Sequence, residues 1–235
     1  MFPAFNQAWP CWAKQHWAGQ GLARVNQQLV IPMFKNLASD ALGLSDIGVV
    51  IRPQDYGKVD ADDYIINEEG EKIYFLIKSK MDEYCFTNLA LIHVDGTSAV
   101  SKKRTLRRFN YAHHAISHVT LETAGTLDRD VEIKFSMGSQ HYSIDVAKVH
   151  IHELKDLYKA LLKIALIQQE NTAFHGYAQT SLNTAATTIS RSTSTSTAEE
   201  QFKAINQYAF NWLKLAHESY VRKDFGEVFE KFINN

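Results

Sequence analysis

The sequence predicts an α+β fold in which about seven antiparallel strands form a sandwich or barrel, one helix closes it, and a helical pair follows. Three observations carry this expectation. Apolar and polar residues alternate in short runs between residues 73 and 146. At Ile151 the apolar period changes to steps of three and four. A Ser/Thr-rich stretch over 179–198 then precedes two further apolar stripes at helical spacing.

Trp9, Trp12 and Trp17 fall among glycines and prolines at the start of the chain, with no sustained period. Residues 1–32 therefore read as an extension, either translated from a start codon upstream of a native Met33 or forming a disordered tail that docks by its tryptophans. Phe34, Leu37, Ala38, Ala41 and Leu42 share one side of a short helix that Gly43 stops. An acidic loop with Asp60, Asp62 and Asp63 clustered completes a lead-in over 33–70.

The strand-rich domain is expected over 71–178. Residues 73–77 are a continuous apolar run, 84–87 follow a Lys80-Met81-Asp82 turn, and 89–94 end at Asp95-Gly96. The basic run 102–108 forms the next strand, ending near Tyr111. Val119, Leu121 and Thr123 alternate with His118, Thr120 and Glu122; Val131, Ile133, Phe135 and Met137 alternate with Glu132, Lys134 and Ser136; Tyr142, Ile144 and Val146 alternate with Ser143 and Asp145. Such period-2 strands keep one face buried and one wet. Turn-prone segments 124–128 and 138–140 make the last three consecutive antiparallel partners. Ile151, Leu154, Leu157, Tyr158, Leu161, Leu162 and Ala165 then mark the closing helix.

The Ser/Thr/Ala composition of 179–198 builds no core and reads as a linker. Beyond it, over 199–235, Phe202, Ile205, Ala209, Trp212, Ala216 and Tyr220 form one stripe, and Phe225, Val228, Phe229 and Phe232 a second. Phe210, Leu213 and Leu215 broaden the first stripe beyond what one neighbour covers. A pair this small cannot hide so many aromatics alone, so it either folds back onto the strand-rich domain or meets another subunit.

Composition narrows the function classes. A net charge of −1 over 235 residues gives no whole-molecule drive toward nucleic acid or an anionic membrane, and no nucleic-acid partner is expected. Cys11 and Cys85 cannot form a disulfide framework, which points to a reducing cytoplasm. No run approaches the roughly twenty apolar residues of a membrane-spanning helix. The chain has no Gly-x-Ser-x-Gly elbow, phosphate loop or glycine-rich dinucleotide turn, and the carboxylates at 60–63 read as solvated. No catalytic residue and no cofactor are therefore assigned. His113, His114, His118, His150 and His152 lack the Cys pair or helical His-Glu-x-x-His that would complete a metal set, and they read as surface or turn histidines.

Seven strands closed by one C-terminal helix is the order of a pleckstrin-homology fold. Phe86-Thr87-Asn88 leading into Leu91-Ile92-His93-Val94-Asp95, the Lys102-Lys103-Arg104 strand, Leu121-Glu122-Thr123-Ala124-Gly125-Thr126 and Asp130-Val131-Glu132-Ile133-Lys134-Phe135 resemble the bacterial pleckstrin-homology family, in particular its YvbH-like members. Residues 55–64 and 208–235 also look like that subfamily, and the resemblance covers about 33–235. It implies a helical extension that is an oligomerisation region and copies that form ring-like homo-oligomers; with no catalytic motif beside it, the chain reads as a non-enzymatic self-assembling scaffold or adaptor. A ring would close by head-to-tail pairing of sheet edges. The partners expected are further copies of the chain, with another protein or a membrane lipid as alternatives.

Two sets of residues are candidates for function. The aromatics Phe202, Phe210, Trp212, Tyr220, Phe225, Phe229 and Phe232 would anchor the extension or join subunits. The basic residues Lys102, Lys103, Arg104, Arg107 and Arg108 would bind anions or an anionic membrane, or else be a solvated strand whose charges blunt an edge or meet Glu residues on a neighbour. In lipid-binding pleckstrin-homology domains the basic site surrounds the loop between the first two strands. Here that loop offers Lys78 and Lys80 followed at once by Asp82 and Glu83, which departs from the phosphoinositide pattern.

Overall fold

The computed structural model describes residues 45–96, 104–123, 125, 129–189 and 197–233. The expected 1–32 extension, the short helix at 34–43 and Lys102 and Lys103 lie outside the described residues. All seven expected strands are present, preceded by a two-residue one. Strands β1 (Val49–Val50), β2 (Ile73–Lys78), β3 (Asp82–Thr87), β4 (Ala90–Gly96) and β5 (Arg104–Asn110) form one antiparallel sheet in that order. Strands β6 (Ile116–Glu122), β7 (Asp130–Met137) and β8 (Gln140–Ala147) form the second.

The sheets make a sandwich and not the closed barrel that the sequence left open. At one corner Gly48 joins them, its N–H donating to the Asp145 carbonyl at 2.8 Å while the Ala147 N–H donates to the Gly48 carbonyl at 2.9 Å. At the opposite corner no ladder links β5 to β6 among the described residues. The inner faces supply the core: Phe75, Ile77, Phe86 and Leu91 from one sheet and Val131, Ile133, Phe135, Met137, Ile144 and Val146 from the other, all buried. The ladder register shifts twice, between Ile73 and Phe75 on β2 and between Ser117 and Thr120 on β6. A bulge between Ser117 and Thr120 puts His118 at φ 53°, leaving Val119 and Leu121 only half-buried.

The acidic lead-in is a structured cover and not a solvated loop. Three 3-10 turns, Pro53–Lys58, Asp60–Tyr64 and Asn67–Glu69, lie over the outer face of the five-stranded sheet. Ile51, Val59 and Ala61 pack there against Leu76, Cys85, Ile92 and Val94. Strand β4 is therefore buried on both faces, which explains its near-continuous apolar run. Buried Glu83 pins the cover by accepting from the Ala61 N–H at 2.8 Å and pairing with Lys78.

Helix α1 (Ile151–Ile189) buries Leu154, Leu157, Ala160, Leu161 and Ile164 against the sandwich, mainly on β6. It runs on to Ile189, so the first part of the segment read as a linker is helical. The threonines there satisfy themselves on their own helix: Thr180 Oγ1 donates to the Gly176 carbonyl and Thr184 Oγ1 to the Thr180 carbonyl, both at 2.9 Å, and Thr187 Oγ1 bonds the Asn183 carbonyl.

The extension is two helices, α2 (Ala198–Tyr220) and α3 (Gly226–Phe232). Thr197 and Glu200 form a reciprocal capping box that starts α2. Among the described residues no helix is long and apolar enough to cross a membrane.

Candidate functional site: the helical extension and the basic strand

The two helices of the extension have different fates, and the difference divides the seven candidate aromatics. Helix α3 belongs to the core of the sandwich. Phe225 and Phe229 are fully buried, Val228 nearly so and Phe232 half-buried. Phe229 stacks on Tyr74 with centroids 5.4 Å apart and lies 6.2 Å from Tyr111, which meets Phe225 edge-on at 5.7 Å.

Polar contacts fix the docking. Asn88, in the β3–β4 turn, accepts the Phe225 N–H on its carbonyl at 2.8 Å and donates from its side chain to Asp224 at 2.8 Å. Its side-chain oxygen takes the Lys72 N–H at 2.8 Å. Tyr74 donates its hydroxyl to Glu230 at 2.8 Å, and burial followed by that carboxylate pushes its pKa up to about 12. A side chain at Gly226 would meet the Tyr74 hydroxyl at 2.9 Å and would displace it from its bond to Glu230.

Among the described residues helix α2 packs mainly on α1. Ala216 is buried, and Ile205, Ala209, Trp212 and Tyr220 are half-buried along the facing stripe. Tyr220 stacks on Phe174 with centroids 6.0 Å apart. On the flanks of that stripe the apolar residues are open: Phe202 is 71% exposed, Tyr208 67%, Phe210 65% and Leu215 63%. At 100° per residue, Phe202, Phe210 and Leu213 fall on one flank and Tyr208 and Leu215 on the other. Tyr177 of α1, 69% exposed, lies edge-on to Phe174 with centroids 6.2 Å apart.

The basic strand does not present free charge at its described positions. Arg108 makes a two-pronged pair with Glu71, Nη2 to Oε1 at 2.9 Å and Nη1 to Oε2 at 3.0 Å. The Glu71 side chain is fully buried and also takes the Thr87 hydroxyl at 2.6 Å and the Ile66 N–H at 2.9 Å. Arg107, on the other face, donates to Asp95 at 2.8 Å, with His93 beside it at 3.5 Å. Arg104 lies 3.6 Å from Asp60, and Asp62 and Asp63 are engaged as well. Each arginine thus meets a carboxylate of a neighbouring strand or of the acidic cover. No cluster of metal-ligating side chains occurs among the described residues.

Sequence reasoning missed the docking role of Asn88, the clamp Glu71 and the cover pin Glu83. All three are long-range contacts with no local periodicity to reveal them.

A two-sheet antiparallel sandwich with a helix packed across it defines a pleckstrin-homology-type domain carrying a helical extension. The family model described as "Bacterial PH domain" matches residues 41–165, and one described as "YvbH-like oligomerisation region" matches 176–235. The chain is 56% identical over 204 residues to the "Uncharacterized protein YvbH" of Bacillus subtilis (strain 168), covering 86% of this chain and all of that one. It is also similar to the crystal structure of a PH-domain-containing bacterial protein from Exiguobacterium sibiricum 255-15. That match has 52% identity and a TM-score of 0.74, and covers 80% of this chain and all of the other. The chain belongs to the bacterial PH domain family and carries the YvbH-like extension.

Proposed function

We propose that the protein is a non-enzymatic scaffold or adaptor that joins copies of itself through an exposed apolar flank of α2, while α3 locks the extension to the sandwich. The single observation carrying this reading is the contrast within one extension: α3 spends its aromatics on the core, whereas α2 leaves Phe202, Tyr208, Phe210 and Leu215 uncovered. Large apolar residues left exposed along the flanks of a folded helix mark an interaction face. The stretch coincides with the region matched as a YvbH-like oligomerisation region.

The non-enzymatic part is supported by what the buried carboxylates do. Glu71 and Glu83 have their oxygens committed to clamping backbone and basic side chains. Among the described residues β5 and β6 each keep one edge without a ladder partner, and these are the sheet edges through which copies would pair head to tail into a ring. The buried free thiol of Cys85 suits a cytoplasmic setting. A membrane-binding reading is weaker, because Arg104, Arg107 and Arg108 each face a carboxylate.

Photo-crosslinking tests the reading. A benzoylphenylalanine placed at Phe210 should yield covalent dimers of the purified chain, and the same probe at Tyr64, on the acidic cover, should not. Crosslinking at neither position, or equally at both, would count against an α2 interface.

A further inference from the structure

At the foot of the extension, the β5–β6 corner, α1 and the α2–α3 elbow enclose a cavity of about 250 Å³. Its lining includes His113, Asn171, His175, Tyr220 and Arg222 and contains no Asp or Glu. The frame is fixed by Gln168, whose amide donates to the Tyr111 carbonyl at 2.7 Å and the His114 carbonyl at 3.2 Å while its oxygen accepts the Ile116 N–H at 2.8 Å.

Arg222 is held in place before any ligand arrives. Its guanidinium lies 4.9 Å from the Phe225 ring centroid, Nε donates to the Asp224 carbonyl at 2.7 Å, and Nη2 pairs with Glu227 at 2.9 Å. Nη1 has no partner among the described residues. The side chains of Asn171, His175 and Tyr220 also make no hydrogen bond among the described residues, although all three line the cavity and are half-buried.

Glu227 takes up only Nη2 of the guanidinium, and the free Nη1 with three side chains that have no hydrogen-bond partner among the described residues, over a lining without Asp or Glu, favours an acceptor-rich negative ligand. The volume lies below the roughly 300–1,000 Å³ of drug-sized sites, so the ligand is small. We propose that this cavity binds a small oxyanion, a carboxylate or phosphate group, between Arg222 on the elbow and Asn171 and His175 on α1. The bound anion ties the elbow to α1 and so stiffens the seating of α2. The site stands independently of the assembly reading.

Calorimetric titration of the intact chain with inorganic phosphate and with citrate, at ionic strength matched by chloride, tests it. Saturable binding of either anion is expected, accompanied by a rise in Tm beyond the chloride control. Arg222→Gln and His175→Ala should each weaken that binding at least tenfold, with the circular dichroism spectrum unchanged. Should Arg222→Gln lose its fold along with the Phe225 stack, His175→Ala and Asn171→Ala carry the test. Vesicles of phosphatidylglycerol distinguish the sources: pelleting that phosphate displaces assigns the anion to a lipid headgroup, and phosphate binding without pelleting assigns it to a free metabolite. No saturable heat with either anion, or equal affinity in the parent and the His175→Ala chain, overturns the proposal.

Discussion

Replacing Phe229 by alanine should destabilise the domain itself and not only any assembly. The ring is fully buried, stacks on Tyr74 at 5.4 Å and approaches Tyr111 at 6.2 Å. Truncating a buried phenylalanine costs about 3–5 kcal/mol. The upper part of that range applies here, because the cavity would be walled by sheet residues and α1, which cannot close in on it. For a chain of this size each kcal/mol lowers Tm by roughly 2–4 °C, so about 4–5 kcal/mol gives an expected loss of about 8–20 °C. Thermal unfolding followed by circular dichroism measures it, at one fixed protein concentration because self-association makes Tm concentration-dependent. Phe210→Ala is the control: the ring is 65% exposed, and at a dilution where copies separate the change should stay within about 0.5 kcal/mol. A Phe229→Ala chain melting with the parent would refute the assignment of α3 to the core.

Three further outcomes follow from the same geometry. Arg108→Ala strands the fully buried Glu71 carboxylate and should cost about 3–5 kcal/mol in urea unfolding, whereas Arg104→Ala, whose pair is partly solvated, should cost under about 1 kcal/mol. Asp145 has its pKa raised by burial and then by Glu132 and Asp130. A raised carboxyl favours the folded state when protonated and disfavours it when ionised, so Asp145→Asn should raise Tm at neutral pH, with the gain vanishing below the ordinary carboxylate range. The intact chain should not pellet with anionic vesicles at low salt through its β5 arginines; salt-sensitive pelleting abolished by Arg104→Glu and Arg107→Glu together would favour the membrane reading instead.

The seven longer strands were legible because the last three alternate with period two and the earlier ones are short apolar or basic runs bounded by turn residues. Strand β1 was not, since two residues in Gly48-Val49-Val50-Ile51 carry no period, and its role of closing one corner depends on β8, about a hundred residues on. The extent of α1 was misjudged for a different reason. Composition marks 179–189 as unable to build a core, but a helix needs only its own carbonyls and one neighbour, and the threonine hydroxyls bond back to the preceding turn. The aromatic stripes of the extension were visible in the sequence, yet their division was not. Phe225 and Phe229 are buried because Asn88 and Gly226 allow the elbow to dock, while Phe202 and Phe210 lie on flanks of α2 that α1 does not reach. The acidic cover concealed its purpose for the same reason: Glu83 and Glu71 act across more than ten residues of chain or across strands.

Truncation before α2 cannot test assembly cleanly, because it also removes α3 and opens the core. The most direct measurement is light scattering behind size exclusion on the intact chain and on a variant carrying Phe202→Ser, Phe210→Ser and Leu213→Ser together, all on one flank of α2. The account predicts a discrete oligomer for the parent and a smaller species for the variant, with unchanged circular dichroism. A variant that keeps the parent's mass, or a parent that runs as a monomer at every concentration, would contradict it.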